Sequence, residues 1–214
     1  MREFIDRELG LKFLLNNFAI FALDDEMRDL IVEAGCVGIN NAIESSNQRV
    51  MGDVVTKPLD LTKAPGLIKG VQDHGLFVIA NFIIGFPGET WEEIRETAQF
   101  AETCGADYVK FFIAMPLKDT KMLEMAKHLD ALDVKEDELE VNWRFSQIKS
   151  DDWSSSDISI LRAYEWDRIN FGTPERRKKM TELWGLNDAD LADIRKKTRD
   201  AVTFSDNANN MVVN

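Results

Sequence analysis

Residues Phe82–Glu93 read FIIGFPGETWEE. They close a longer apolar run, LFVIANFIIG (Leu76–Gly85), in which polar residues barely alternate. Such a run suits a strand covered on both faces, the usual state of a parallel strand. Gly85, Pro87 and Gly88 then permit a sharp turn and close approach of another group to the backbone. Thr90 and Glu93 have the spacing of a helix capping box. Behind them Trp91, Ile94, Ala98, Ala101 and Cys104 line one helical face, with glutamates mostly opposite. The stretch is therefore one strand–turn–helix unit.

The same unit recurs on either side. Strands are expected at Phe18–Leu23, Val37–Ile43 and Tyr108–Met115, besides Leu76–Gly85. DDEMRDLIVEAG reads as a helix that aspartate caps and glycine ends, with Met27, Leu30, Ile31 and Ala34 as its apolar stripe. APGLIKGVQDHG reads as a second helix, and a further one starts at Lys121, followed by the short apolar stretch VNWRFSQI. Strand and helix alternate, with connections long enough for parallel crossovers, so the class is α/β with a parallel sheet. Near Ser150 the polar stretch SDDWSSSD marks a change. We expect a first domain over residues 1–149 and a helical extension over 150–214, with three helices. Thr173 caps the second of these, with Pro174 at its first position; Asn187 caps the third, with Leu186 and Leu191 as a hydrophobic staple. The terminal SDNANNMVVN reads as a frayed tail.

Composition narrows the function. The 214 residues, 44% hydrophobic, suffice for one sizeable core or a domain with an appendage. No apolar run approaches the roughly 20 residues that span a bilayer, and MREFIDRELG has no long apolar centre, so the expected location is the cytoplasm. A net charge of −12 opposes an extended nucleic-acid or anionic-membrane surface. Arg176, Arg177, Lys178 and Lys179 form a local basic run, read as a solvated helix face. Cys36 and Cys104 stand far apart at apolar helix ends, as buried reduced thiols. His74 and His128 lie in polar surroundings and read as solvated. There is no CxxC pair, P-loop, GxGxxG, HExxH or nucleophile elbow.

In parallel α/β sheets ligands bind at the carboxyl ends of strands. Three strand ends here are unusual. In NNAIESSNQ (Asn40–Gln48) a carboxylate and hydroxyls, Glu44, Ser45 and Ser46, follow directly on a buried strand. They suit sugar hydroxyls; equally, Glu44 faces solvent and Ser45 or Ser46 caps a short helix. At Gly85–Thr90, exposed strand-end N–H and C=O groups suit a flat heterocycle; equally, this is an ordinary loop capped by Thr90. In AMPLKDT (Ala114–Thr120), Pro116 ends a strand and Thr120 begins a helix.

Taken together, LIVEAGCVGINNAIESSNQRVM, the stretch from Lys57 through FIIGFPGET to Asp107, and PLKDT resemble the second half of the radical S-adenosylmethionine (SAM) barrel. The likeness is to the group whose members often carry an N-terminal cobalamin-binding domain. It covers most of residues 20–125 and, more weakly, LRAYEWDRINF, similar to that group's C-terminal helical extension. The resemblance implies a partial TIM-type (β/α) barrel, about its last four strands. It implies that Glu44 and Ser45 contact the ribose of SAM, and that Ile84, Gly85 and Phe86 shape the adenine pocket. Members usually show glycine where Ala42 stands, and often where Asp119 stands.

The family's chemistry needs a [4Fe–4S] cluster on three cysteines in a CxxxCxxC loop after the first strand. This sequence holds no such loop. The resemblance therefore implies the C-terminal portion of an iron–sulfur enzyme that is not catalytic alone. SAM is its cofactor; the cluster, and in some members cobalamin, belong to the complete enzyme. The cysteines would come from a missing N-terminal half or a cysteine-bearing partner chain. Two alternatives stand beside it. One is a non-catalytic interaction module on a degenerate half-barrel. The other is a cluster-free enzyme with Asp107, Lys110, Lys118 and Asp119 as an acid–base set. Trp166, Arg168 and Asn170 either close over the barrel mouth or pack.

Overall fold

A computed structural model of the chain describes residues 1–57 and 59–203; the expected frayed tail lies outside them. After a short helix α1 (Arg2–Asp6), the order is β1 (Phe13–Phe18), α2 (Asp25–Glu33), β2 (Cys36–Glu44), α3 (Ala64–Asp73), β3 (Phe77–Ile84), α4 (Trp91–Thr103), β4 (Tyr108–Ile113) and α5 (Lys121–His128). Three helices follow: α6 (Ser155–Phe171), α7 (Pro174–Trp184) and α8 (Asp188–Thr203). The strands form one sheet in chain order, β1-β2-β3-β4, with parallel pairing. No helix among the described residues is long and apolar enough to cross a membrane.

The expectation of a first strand at Phe18–Leu23 is corrected. The strand ends where that segment begins, and Ile20–Ala22 forms a 3-10 turn. Asn17 takes φ 51°, which breaks extended backbone, and the Asn41 side chain, not a ladder carbonyl, accepts the Ile20 N–H at 3.4 Å. The apolar residues Ile20 and Leu23 are buried beneath the turn. The stripe of α2 is also corrected. Met27 is exposed, and Arg28 is buried in its place, donating to the Leu23 carbonyl at 3.0 Å and to Asp25. Its guanidinium fits because α3 presents Gly70, where a Cβ would lie 3.1 Å from Arg28 Nη1.

By compactness the chain divides into one unit of Met1–Phe82 with Glu96–Lys110 and a second of Ile83–Arg95 with the residues from Phe111 onward. In the first, Ile39 and Ile43 of β2 share a buried face with Val78, Ala80 and Phe82 of β3, and Phe82 meets Phe100 of α4 edge-on at 6.2 Å. The other face of the same strands carries Asn40 and Ala42 beside Ile79 and Asn81.

In the second unit α6, α7 and α8 pack together. Asp167 of α6 accepts from Arg195 Nε at 2.6 Å and Nη2 at 2.9 Å, and from Arg199 at 3.2 Å. Trp166, Phe171 and Trp184 form a chain of edge-on ring contacts at 5.0 and 6.0 Å. Helix starts are as expected: Thr173 caps α7 and Asn187 caps α8. Two residues of the basic run are not solvated. Arg176 donates to the Ile169 carbonyl at 2.7 Å and Arg177 to the Phe171 carbonyl at 2.8 Å. They satisfy the last carbonyls of α6, where the helix dipole favours cations. His74 is corrected too: its Nδ1 lies 2.7 Å from the Gly70 carbonyl and its ring is half-buried.

Two measurements follow from this packing. Burial pushes the Asp167 carboxyl up, but the hydrogen bonds and charge of Arg195, then of Arg199, hold it below the usual carboxylate range. Its contribution is therefore present above the unfolded value near 3.9 and lost as pH falls through the lower folded value. Asp167→Asn is expected to cost roughly 1–3 kcal/mol in urea unfolding at pH 7, and the difference from wild type shrinks below about pH 4. Separately, Asp119 takes φ 62°, so Asp119→Gly is expected to raise the unfolding free energy by about 0.5–1 kcal/mol.

Candidate functional site

The carboxyl end of β2 is built around strain and a buried hydroxyl. The pairing of β2 with β3 slips between Ala42 and Glu44, so that Ala42 faces Asn81 and Glu44 faces Phe82. Glu44 itself takes φ 76°, a left-handed conformation that an L side chain adopts at a cost. Lys57 secures this end: its Nζ donates to the Ala42 carbonyl at 2.6 Å and stands 3.6 Å from the Glu44 carboxylate. Both side chains stay partly exposed, Glu44 at 19% and Lys57 at 35%.

Ser45 is fully buried. Its hydroxyl shares a hydrogen bond with Thr97 Oγ1 at 3.1 Å and accepts the Asn47 N–H at 3.1 Å. Thr97, fully buried on α4, also accepts from Ser46 N at 3.2 Å. Asn47, not Ser45 or Ser46, caps the turn that follows, accepting the Arg49 and Val50 N–H groups. On the face of the strands that carries Asn40 and Asn81, their Oδ1 atoms are buried without a hydrogen-bond partner among the described residues.

The carboxyl end of β3 is held by one carboxylate. Glu89 is buried, and its Oε2 accepts the N–H groups of Gly85 at 2.8 Å and Phe86 at 3.0 Å. Its own carbonyl accepts Trp153 Nε1 at 2.8 Å. The capping box is present in both directions: Thr90 N donates to Glu93, and Glu93 N donates to Thr90 Oγ1. Gly85 takes φ 79°, and a Cβ there would lie 2.8 Å from Ile158 of α6. The glycine is thus required by helix packing as well as by the turn. Ile84 and Phe86 have buried side chains, and the Ile84 carbonyl accepts from Ala114 N at 3.0 Å.

After β4 the loop reaches Thr120, which caps α5. Beside it opens a cavity of about 800 Å³ whose lining includes Leu117, Leu123, Leu139 and Val141, with Lys118 and Glu140. The proposed acid–base set does not assemble. Asp107 stands at the amino end of β4, accepting the Val78 N–H at 2.8 Å, whereas Lys118 and Asp119 follow its carboxyl end. Trp166, Arg168 and Asn170 are packing residues: Arg168 donates to Glu165 and Asn170 to the Trp166 carbonyl.

A cluster of iron and sulfide does not fit the residues present. Cys36 and Cys104 are both buried, with Sγ directed to the Gly38 and Ala101 carbonyls. Among the described residues no group of three His, Cys, Asp or Glu side chains is placed to hold a metal ion. Three residues important to these strand ends escaped sequence reasoning. Thr97 carried a signal, since a hydroxyl three residues after Ile94 and four before Ala101 must lie on the apolar face. Lys57 and Glu89 had none, because their partners are set by the fold.

The chain is similar to several known proteins. It is 30% identical over 189 residues, 85% of this chain, to cytidylyl-2-hydroxyethylphosphonate methyltransferase of Streptomyces wedmorensis, of which it covers 35%. It is 28% identical over 115 residues, 53% of this chain, to the anaerobic magnesium-protoporphyrin IX monomethyl ester cyclase of Rubrivivax gelatinosus, of which it covers 20%. Among solved structures it shares the fold of the radical SAM methyltransferase TsrM of Kitasatospora setae, which holds cobalamin and a [4Fe–4S] cluster. The TM-score is 0.52 at 19% identity, over 63% of this chain and 26% of that one. The chain thus spans about a third or less of the length of each. No protein-family model matches it.

The Glu89 arrangement sets a clear expectation. Glu89→Ala leaves the Gly85 and Phe86 N–H groups buried without an acceptor, at a cost of roughly 2–5 kcal/mol. Glu89→Gln keeps an acceptor and is expected to recover at least half of that, read by guanidinium unfolding.

Proposed function

We infer that this chain, a partial radical SAM domain, supplies the ribose- and adenine-facing part of a SAM pocket in a radical SAM iron–sulfur enzyme. The observation that carries the reading is Glu44. A non-glycine residue at φ 76° stands at a slipped register on the carboxyl end of a parallel strand, its carboxylate partly exposed beside Lys57. Backbone strain of this kind costs on the order of 1–3 kcal/mol and clusters at ligand sites, and this is the strand edge at which α/β folds bind ligands.

The residues divide the work. The Glu44 carboxylate accepts from ribose hydroxyls, and Lys57 orients it while holding the Ala42 carbonyl. Ser45 acts through position, since its hydroxyl is already bonded to Thr97 and Asn47 N. Ile84, Gly85 and Phe86 shape the adenine pocket, and Glu89 fixes their turn by holding the Gly85 and Phe86 N–H groups. In the complete enzyme SAM would supply a radical or a methyl group. The cluster ligands lie elsewhere, on a partner chain or on another part of a longer protein, and this chain is not catalytic alone. A relative that matches 85% of the chain is a methyltransferase, and methyl transfer is the reaction class we assign to the complete enzyme, with cobalamin as its further cofactor. Both thiols are buried and outside any disulfide, in keeping with a cytoplasmic enzyme.

Equilibrium dialysis with labelled SAM tests the reading against unfolding measurements on the same samples. Glu44→Gly relieves the strained conformation, so its stability is expected to hold or rise by about 1 kcal/mol, while SAM binding falls at least about tenfold. Wild-type affinity in Glu44→Gly overturns the assignment.

A further inference from the structure

The turn Asn142–Ile148 is fixed along the first half of α6. Asn142 Oδ1 accepts the Arg144 and Phe145 N–H groups at 3.0 Å each, and Ser146 N donates to Ser159 Oγ of α6 at 2.9 Å. Ile148 is fully buried, and the Trp143 ring meets Phe112 edge-on at 6.4 Å. One helical turn beyond Ser159 stands Arg162. Its Nε is buried with no hydrogen-bond partner among the described residues. Burial first, and then the charge of Arg144, hold the Arg162 guanidinium below its usual pKa. No carboxylate among the described residues pairs with either arginine.

That is an anomaly in this chain. Acidic residues outnumber basic ones 38 to 26, so carboxylates are in excess. The other arginines of these helices have partners: Arg168 has Glu165, Arg195 and Arg199 share Asp167, and Arg176 and Arg177 bind carbonyls of α6. The turn that carries Arg144 is docked on α6 one helical turn from Arg162, so two positive charges, one with a buried nitrogen lacking a partner among the described residues, oppose each other without compensation. An anion supplies that compensation. Guanidinium forks match tetrahedral oxyanions, whose several oxygens engage two arginines at once.

We propose that Arg144 and Arg162 form a binding site for a phosphoryl or phosphonyl group. The site stands apart from the SAM reading and does not rest on it, because SAM carries no phosphate. The exposed Trp143 precedes Arg144 in the same fixed turn and offers a ring face to whatever the phosphoryl group is attached to.

The test is calorimetric titration and thermal melting of the full chain with inorganic phosphate, AMP and acetate at constant ionic strength. Variants are Arg144→Gln and Arg162→Gln. Saturable binding of phosphate or AMP, well above acetate, is expected. Tighter AMP binding identifies an organic phosphate; equal binding identifies free phosphate. Arg144→Gln, a change at an exposed residue, is expected to weaken binding at least about tenfold. Arg162→Gln is expected to abolish it and to raise the melting temperature of the ligand-free chain, since it removes a partly buried charge that faces Arg144; a merely structural arginine would lower it. If Arg162→Gln fails to fold, Arg144→Gln alone decides. No saturable binding, acetate equal to phosphate, or undiminished binding in Arg144→Gln (an adventitious ion only) overturns the proposal.

Discussion

A single buried carboxylate organises the turn on which the rest of this fold depends. A strand that runs directly into a helix must end its ladder, reverse direction and start a new hydrogen-bonding pattern within a few residues. The orphaned N–H groups at such a junction need acceptors. Here Glu89 Oε2 takes two of them, Gly85 N and Phe86 N, and the glutamate's own carbonyl takes the Trp153 indole. Trp153 precedes Ser154, which caps α6 through a full capping box. The same residue thus closes the end of β3 and locates the start of the longest helix. Gly85 completes the arrangement, because any side chain there meets Ile158 of that helix.

The end of β2 solves its junction by other means. Thr97 gathers the Ser45 hydroxyl and the Ser46 N–H into a dry network, where each bond is stronger than in water and each missing partner is costly. With the serines so engaged, Glu44 and Lys57 remain as the partly exposed charges of this strand end. The strain at Glu44 is then intelligible as a consequence of register: the slip against β3 that keeps Ile43 in the core forces the next residue into left-handed backbone. A carboxylate placed this way is held by the sheet itself rather than by a loop.

The helical extension shows how an acidic chain distributes its cations. Most arginines are used internally, on Asp167, on Glu165 or on helix-end carbonyls, where each relieves a specific unsatisfied group. Against that pattern, Arg144 and Arg162 stand out because no carboxylate among the described residues pairs with either. The arginines of a run such as ERRKK look alike in sequence; only their neighbours distinguish a helix-capping cation from a solvated one.

Much of this was legible without coordinates. Alternating apolar strands and capped helices dictated an α/β chain, since hydrophobic periodicity and caps are local properties and act over a few residues. Three of four strands, the Thr90–Glu93 box, and the caps at Thr120, Thr173 and Asn187 follow from that alone. The first strand did not, because FAIFAL is the more apolar of the two neighbouring segments FAIFAL and KFLLNNF, and the choice for the other fell to pairing with β2 and to the backbone of Asn17. Nor did the roles of Arg28, His74, Arg176 and Arg177, whose partners are carbonyls or side chains that the packing brings near. The order of motifs placed Glu44 and the GFPGE loop at strand ends, but only the tertiary structure decided that Ser45 is a buried joint, that Lys57 joins Glu44, and that Glu89 holds the loop. Propensity and pattern determine which element a residue belongs to; which buried polar group it must satisfy is determined only when distant segments meet.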